Sequence, residues 1–302
     1  MDVPKRRLGR TGVEVSAIGL GGFHIGHPDL PDGSAIDLIH AAIDRGITFM
    51  DNCWDYNAGT SELRMGRALC VDGYRDRVFL MTKIDGRTAK AFDMQLTQSL
   101  ARLLTDHVDL VQFHEVIRPD DADRIFAPGG AYEAAVSAKA AGKVRFIGFT
   151  GHKSPKYHLH AIETARKNGV VFDTVQMPVN IFDAHYDSFA ERVIPVAQAL
   201  DMGILAMKTF GDHNLVDSGV ADPIDMLHYS LDLPVSVVIT GIDKPEILDQ
   251  AIRAATTFAP LDDAKRRSML AASAPKARDG SLERYKTSHF FDGTVQNPDW
   301  LG

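Results

Sequence analysis

Only two cysteines, Cys53 and Cys70, occur in 302 residues. They cannot build a disulfide framework and lack the spacing of a zinc site, so a reducing, cytoplasmic setting is expected. No apolar run approaches the roughly 20 residues of a membrane span. The charged start Met1-Asp2-Val3-Pro4-Lys5-Arg6-Arg7 has no apolar stretch behind it to act as a leader; no membrane partner is expected. The formal net charge is −7 and no basic tract or stripe interrupts it, which disfavours a nucleic-acid partner. Low-complexity segments, linkers and sequence repeats are also missing. So is a G-x-G-x-x-G between an early strand and helix, the mark of an open doubly wound dinucleotide fold. What remains, 45% apolar and 24% charged residues, suits one compact unit, and residues 1–302 read as a single domain.

The informative feature is where three short apolar runs stop. Ile47–Met50 ends at Asp51, Val78–Thr82 at Lys83 and Val108–Phe113 at His114, with Tyr56 in the loop after the first. The stops are 32 and 31 residues apart, one strand plus one returning helix and two short loops. Successive parallel strands of a barrel would deliver all three side chains to its C-terminal rim, where such barrels do their chemistry.

The alternation persists along the chain. A small hairpin is expected over 5–15, around Gly9-Arg10-Thr11-Gly12, then a first barrel strand at Val15–Leu20 ending in Gly21-Gly22-Phe23. Helices follow at 34–45, 60–69, 89–104, 130–141, 155–167, 185–200, 223–232 and 244–255, from apolar spacings of three and four. Between them lie strands at Val144–Phe149, Phe172–Met177, Ile204–Met207 and Val235–Ile239. Eight strand-plus-helix units without hairpins between them predict a closed (β/α)8 TIM barrel rather than an open sheet. Residues 275–302 lack helical periodicity and are expected to lie over part of it as a tail.

Asp51, Tyr56, Lys83 and His114 form a chemically sensible set. A phenol, with pKa near 10, is a poor acid or base at neutral pH unless a cation lies beside it. Lys83 can supply that charge, Asp51 can hold Lys83, and His114 can hydrogen-bond a reacting oxygen. Lowering the phenol by about two pKa units needs roughly 2.7 kcal/mol of differential interaction.

These residues sit within a longer series of motifs. Arg7-Leu8-Gly9-Arg10-Thr11-Gly12 comes first, then Ile18-Gly19-Leu20-Gly21-Gly22, Phe49-Met50-Asp51 with Tyr56, Ser61-Glu62, Gly66 and Ala68-Leu69. Thr82-Lys83, Val108-Asp109-Leu110 with His114, Gly142–Thr150 and Pro234–Gly241 complete it. In this order they resemble the aldo-keto reductase family over nearly the whole chain. The resemblance implies a barrel that binds a nicotinamide cofactor without a Rossmann fold, with Asp51, Tyr56, Lys83 and His114 in the positions of the catalytic tetrad. It implies cofactor contacts at Gly22, Phe23, Thr150, Gly151, His152, Gln176, Met207, Lys208, Gly241, Asp243, Lys244 and Gln250, and no metal.

Some of these positions depart from the family pattern. Thr150 stands for a serine and Gly151 for an asparagine, whose contact His152 would replace unless it caps the next helix. Met207 stands for the aromatic residue that stacks on the nicotinamide. After the eighth strand Lys244 is the cation available for a 2′-phosphate, while Asp243 would suit a free ribose hydroxyl; NADP(H) is favoured over NAD(H). Trp54, Phe23, His24, Phe182 and the tail around Tyr285–Phe291 would line a pocket for a small carbonyl or alcohol substrate, a sugar-derived aldehyde among them. The rival readings are a cofactor-binding regulatory subunit, as in the β subunits of some potassium channels, and a metal-dependent hydrolase using Asp51 and His114, which Lys83 would oppose.

Overall fold

The computed structural model describes residues 3–302; Met1 and Asp2, the start of the charged N-terminal stretch, lie outside the described residues. Strands β1 (Lys5–Arg7) and β2 (Glu14–Ser16) pair as the antiparallel hairpin. The barrel follows: β3 (Ile18–Gly21), β4 (Phe49–Asp51), β5 (Phe79–Ile84), β6 (Val108–Phe113), β7 (Val144–Thr150), β8 (Thr174–Pro178), β9 (Gly203–Met207) and β10 (Val237–Gly241). Consecutive strands are parallel neighbours all the way round, and β10 closes onto β3 with Val238 opposite Ile18. The chain therefore folds as the predicted (β/α)8 barrel.

Two cores follow from the period-two alternation of side chains along a strand. Inside the barrel, Phe49, Phe79, Met81, Leu110, Leu205, Val237 and Ile239 pack with Leu8 and Val15 of the hairpin, which plugs the end where the strands begin. Outside it, Leu80, Val111, Val175 and Val238 pack against helix residues such as Ile39, Phe92, Ala135 and Leu248. Continuing the interior positions by twos from Phe49, Met81 and Leu110 arrives at Asp51, Lys83 and His114. The pattern that fills the lower barrel with apolar side chains thus aims three polar ones into its mouth.

Several boundaries differ from expectation. The expected first strand breaks at Ala17 into β2 and β3, and Ser16, the last paired residue of β2, ties the break to β4: its Oγ accepts from the Thr48 and Phe49 N–H groups and donates to Ile18 O. β8 runs Thr174–Pro178 instead of 172–177, and β10 begins two residues later than predicted, at Val237. The helix predicted at 185–200 is two, Phe189–Arg192 and Ile194–Ala199. Pro195 in the second has no N–H to continue a single ladder. Helices Asp121–Phe126 and Asp263–Ala277 were not expected. The tail carries three further short turns of helix, the last at Pro298–Leu301. No helix among the described residues is long and apolar enough to cross a membrane.

Candidate active site

At the rim Lys83 is fully buried and uses each of its three ammonium protons. It donates to Asp51 Oδ1, to Asn52 O at 2.8 Å and to Tyr56 Oη at 3.1 Å. Burial, the largest single influence, lowers the ammonium's pKa, but Asp51 together with Tyr56 and Cys53 outweighs it and the net direction is upward. Tyr56 is presented by a strained turn: Asn57 and Ala58 directly after it hold φ of 52° and 54°, a region that costs a non-glycine residue about 1–2 kcal/mol. Asn57 Nδ2 bonds Phe23 O at 2.7 Å, and Ser61 Oγ holds Gly22 O at 2.6 Å. The expected lowering of the phenol does not appear. Burial pushes Tyr56 well above its ordinary value, and Lys83 offsets only part of that; the group is a protonated acid at neutral pH.

His114 lies edge-on to Tyr56, with ring centroids 5.9 Å apart. Its Nδ1 faces three groups: Asp85 Oδ1 at 2.8 Å, Cys53 Sγ at 3.3 Å and Asp55 Oδ1 at 3.7 Å. Burial holds the imidazole below its ordinary pKa despite the carboxylates of Asp55 and Glu115. Burial likewise pushes Asp55 up to about 7 and Asp85 up to about 8, each further raised by a neighbouring carboxylate. Cys53, Asp55, Asp85 and His114 present donor atoms all within 4.8 Å of one another. Two ligands on one zinc ion, with bonds of about 2.0–2.2 Å, stand about 3.3 Å apart; the 2.8 Å between Asp85 and His114 is a hydrogen-bond distance.

On the opposite arc the pattern inverts. Thr150 and Gln176 are register partners at the ends of β7 and β8. Gln176 donates its amide N–H to Asp51 Oδ2 at 2.7 Å. That fixes the amide's orientation and leaves Gln176 Oε1, like Thr150 Oγ1, buried without a hydrogen-bond partner. A buried donor beside a buried acceptor is complementary to a primary carboxamide, which offers one of each, so the residues present fit a nicotinamide. Met207 ends β9, half-buried, and Gly241 ends β10. Gly22 lies so close to β4 that a Cβ there would stand 2.6 Å from Asp51 O. Phe23 is exposed and edge-on to Tyr56.

The remaining expected residues are dispersed. Gly151 leaves no room for the asparagine usual at this position, since a Cβ would meet Val116 O at 2.4 Å. His152 does not cap the next helix, which Ser154 does; its Nε2 bonds Asp292 Oδ1 of the tail at 2.9 Å. Lys208 is held between tail rings, its Nζ 4.8 Å from the centroid of Phe291 and 5.4 Å from that of Tyr285, and burial brings its pKa down to about 8. Half-buried Asp243 and exposed Lys244 precede helix Pro245–Thr257, whose N-terminus no side chain caps, and half-buried Gln250 lies in its second turn. Phe182 is fully buried, packed with Ile181, Leu215 and Met226 in a satellite core. Trp54 packs on Trp300 at 5.5 Å, and His24 contacts Phe23.

The sequence reading missed the tail's anchors and the residues behind His114. Glu115 accepts from Gly293 N, Thr294 N and Thr294 Oγ1 at 2.6–2.8 Å, and Lys286 is buried against Asp183 and Glu283. Arg87, fully buried, donates to Asp85 O and to the carbonyls of His114 and Glu115, pinning two strand ends together. Asp85 stands one residue past β5 as His114 stands one past β6, and it is the register of Ile84 with Phe113, visible only in the fold, that sets them side by side.

Comparison with known proteins agrees with this architecture. The Aldo/keto reductase family model matches residues 17–229. The aldo-keto reductase YhdN of Bacillus subtilis is 32% identical over 201 residues, 62% of this chain and 56% of that protein. The uncharacterized oxidoreductase YrpG of the same organism is 32% identical over 226 residues, 66% and 64% of the two chains. The matched part thus spans 56% and 64% of these two relatives' lengths. The holo form of the aldo-keto reductase AKR11C1 of Bacillus halodurans superimposes with a TM-score of 0.74 over 89% of this chain and 96% of that one, at 20% identity, a likeness of fold. The chain belongs to the aldo/keto reductase family.

Proposed function

We propose that the protein is an NAD(P)(H)-dependent oxidoreductase that interconverts aldehydes or ketones and alcohols, residues 1–302 working as one unit. The observation that carries this reading is the pairing of a saturated proton-handling group, Tyr56–Lys83–Asp51, with two unsatisfied buried atoms on Gln176 and Thr150. Thr150 and Gln176 would hold the carboxamide of the nicotinamide, which supplies the hydride. In the reductive direction Tyr56 gives its proton to the carbonyl oxygen, since burial keeps the phenol protonated. Lys83, held by Asp51 and Asn52 O, stabilises the phenolate that remains. His114 orients the carbonyl oxygen.

Gly22, Phe23, Met207, Lys208 and Gly241 would border the rest of the cofactor. NADP(H) is favoured because the uncapped N-terminus of helix Pro245–Thr257 stands beside exposed Lys244, a site suited to a phosphate. The test is fluorescence titration of the full chain with NADPH and NADH, followed by turnover of a panel of small aldehydes and ketones. Cofactor binding with carbonyl reduction is the expected result. Tight binding with no turnover across the panel favours the regulatory-subunit reading, and no binding of either cofactor refutes both.

A further inference from the structure

We propose that Asp85 is a positioning residue that sets the tautomer of His114, holding Nδ1 from behind so that the proton stays on Nε2, the nitrogen left free for a carbonyl oxygen. The inference rests on the reductase reading above. Register carries the geometry: because Ile84 pairs with Phe113, the next residues on each strand, Asp85 and His114, emerge side by side. Arg87 locks that adjacency through Asp85 O and His114 O, and Gln95 Oε1 fixes the loop by accepting from the Asp85 and Gly86 N–H groups. Nδ1 is enclosed by Asp85, Cys53 and Asp55, while Nε2 has no hydrogen-bond partner among the described residues.

The proton count decides what the pair does. With two protons present, one lies between Asp85 Oδ1 and His114 Nδ1 and the other on Nε2, whichever atom formally owns the shared one. Nε2 then donates to a carbonyl oxygen. Removal of one proton leaves a carboxylate that accepts from Nδ1–H, and Nε2 becomes a bare lone pair that repels the same oxygen. The groups facing Asp85 are His114, Glu115 and Arg118 after β6, Cys53 and Asp55 after β4, and Lys83 and Arg87 on its own strand and loop. Burial and the Glu115 charge raise the carboxyl to about 8, against Arg87, Lys83 and Arg118. The two-proton state is therefore the one present at neutral pH.

The test combines a spectroscopic and a kinetic reading on the full chain. In 15N-histidine-labelled protein without cofactor, with His114 assigned by a His114→Asn variant, Nε2 is expected to carry the proton at pH 6.5. The Nδ1–H tautomer is expected to take over as pH passes about 8. In Asp85→Asn, whose amide can donate to Nδ1 but cannot titrate, that changeover disappears. In reduction assays kcat of the wild type falls with one ionisation near pH 8. Asp85→Asn keeps kcat at pH 7 within about tenfold and flattens the alkaline limb, whereas Asp85→Leu loses more than tenfold in kcat with cofactor affinity retained. Lys208 also titrates near 8 and Asp55, beside His114 Nδ1, near 7, but a limb due to either would survive in Asp85→Asn and would refute the assignment. An Nδ1–H tautomer at pH 6.5, or equal losses in the Asn and Leu variants with the limb intact, overturns the proposal. If the tautomer changes over as expected while no carbonyl is reduced with either cofactor, the Asp85–His114 pair stands and the reductase reading falls.

Discussion

Two arcs of one rim differ in how their candidate residues are paired. Along β4 to β6 those side chains hold one another, Asp51 with Lys83, Lys83 with Tyr56 and Asp85 with His114, although Asn52 Nδ2, Asp55 Oδ1 and Asp85 Oδ2 beside them have no hydrogen-bond partner. Along β7 and β8 the reactive-facing atoms of the pair Thr150 and Gln176, Oγ1 and Oε1, are left buried and unpaired. An unmade hydrogen bond in the interior costs about 1–3 kcal/mol, which a ligand on Thr150 and Gln176 would recover. Under the proposed function the first arc would supply the proton chemistry and the second would be completed by the cofactor's carboxamide. Gln176 joins them, because its amide donates to Asp51 while its carbonyl has no protein partner.

That contrast can be broken first at the paired arc. Tyr56→Phe removes the proton donor and leaves Lys83 with two of its three partners, so carbonyl turnover is expected to fall by about 10²–10⁴-fold with cofactor affinity unchanged. Unaltered turnover would remove the phenol from the reaction. Lys83→Met strikes the same arc through folding. It strands the Asp51 carboxylate in the barrel mouth with only the Gln176 amide beside it, and breaking a buried pair this way costs about 3–5 kcal/mol. Urea unfolding of this variant within about 1 kcal/mol of wild type would mean that the pair is not the anchor the geometry makes it.

The two arcs were also unequally legible in the sequence. The β4–β6 residues could be found from phase alone, since the alternation that buries Phe49, Met81 and Leu110 inside the barrel must project Asp51, Lys83 and His114 above them. Asp85 could not, because Ile84-Asp85-Gly86-Arg87 reads as a loop and the role of Asp85 arises from which residue the neighbouring strand brings alongside. Gly151 reads as a lost contact until the carbonyl of Val116 is seen to occupy the space a side chain would need. Helix Asp263–Ala277 was invisible for a different reason. Its buried residues are Met269, Ser273 and Ala277, a stripe too narrow and too polar to register as amphipathic. The tail's hold on the rim depends on ion pairs such as Asp292 with His152 and Lys153, formed across more than a hundred residues of chain, and no local pattern encodes them.

Thr150→Val sharpens the comparison from the unpaired side. Because Thr150 Oγ1 has no partner within the protein, replacing it with a methyl of nearly the same shape should leave stability within about 0.5 kcal/mol of wild type or raise it slightly. The loss should fall on cofactor affinity instead, about ten- to hundredfold if the carboxamide oxygen is left buried without a donor. A stability loss with affinity intact would reverse the assignment and make Thr150 a structural hydroxyl.

The smallest expected effect lies farthest from the chemistry, at Lys244. This lysine is exposed and precedes an uncapped helix N-terminus, so its attraction for a 2′-phosphate is partly screened by water and salt. Lys244→Ala should weaken NADPH by about tenfold or less, at about 1.4 kcal/mol per decade, and leave NADH almost untouched. The residual preference in the variant would come from the helix N-terminus, whose N–H groups remain. Raising the salt concentration should erode the wild-type preference and change the variant's little, because only the wild type has the long-range charge to lose. If NADH already binds wild type as tightly as NADPH, half-buried Asp243 is reading a free ribose hydroxyl, and the nucleotide preference must be reversed.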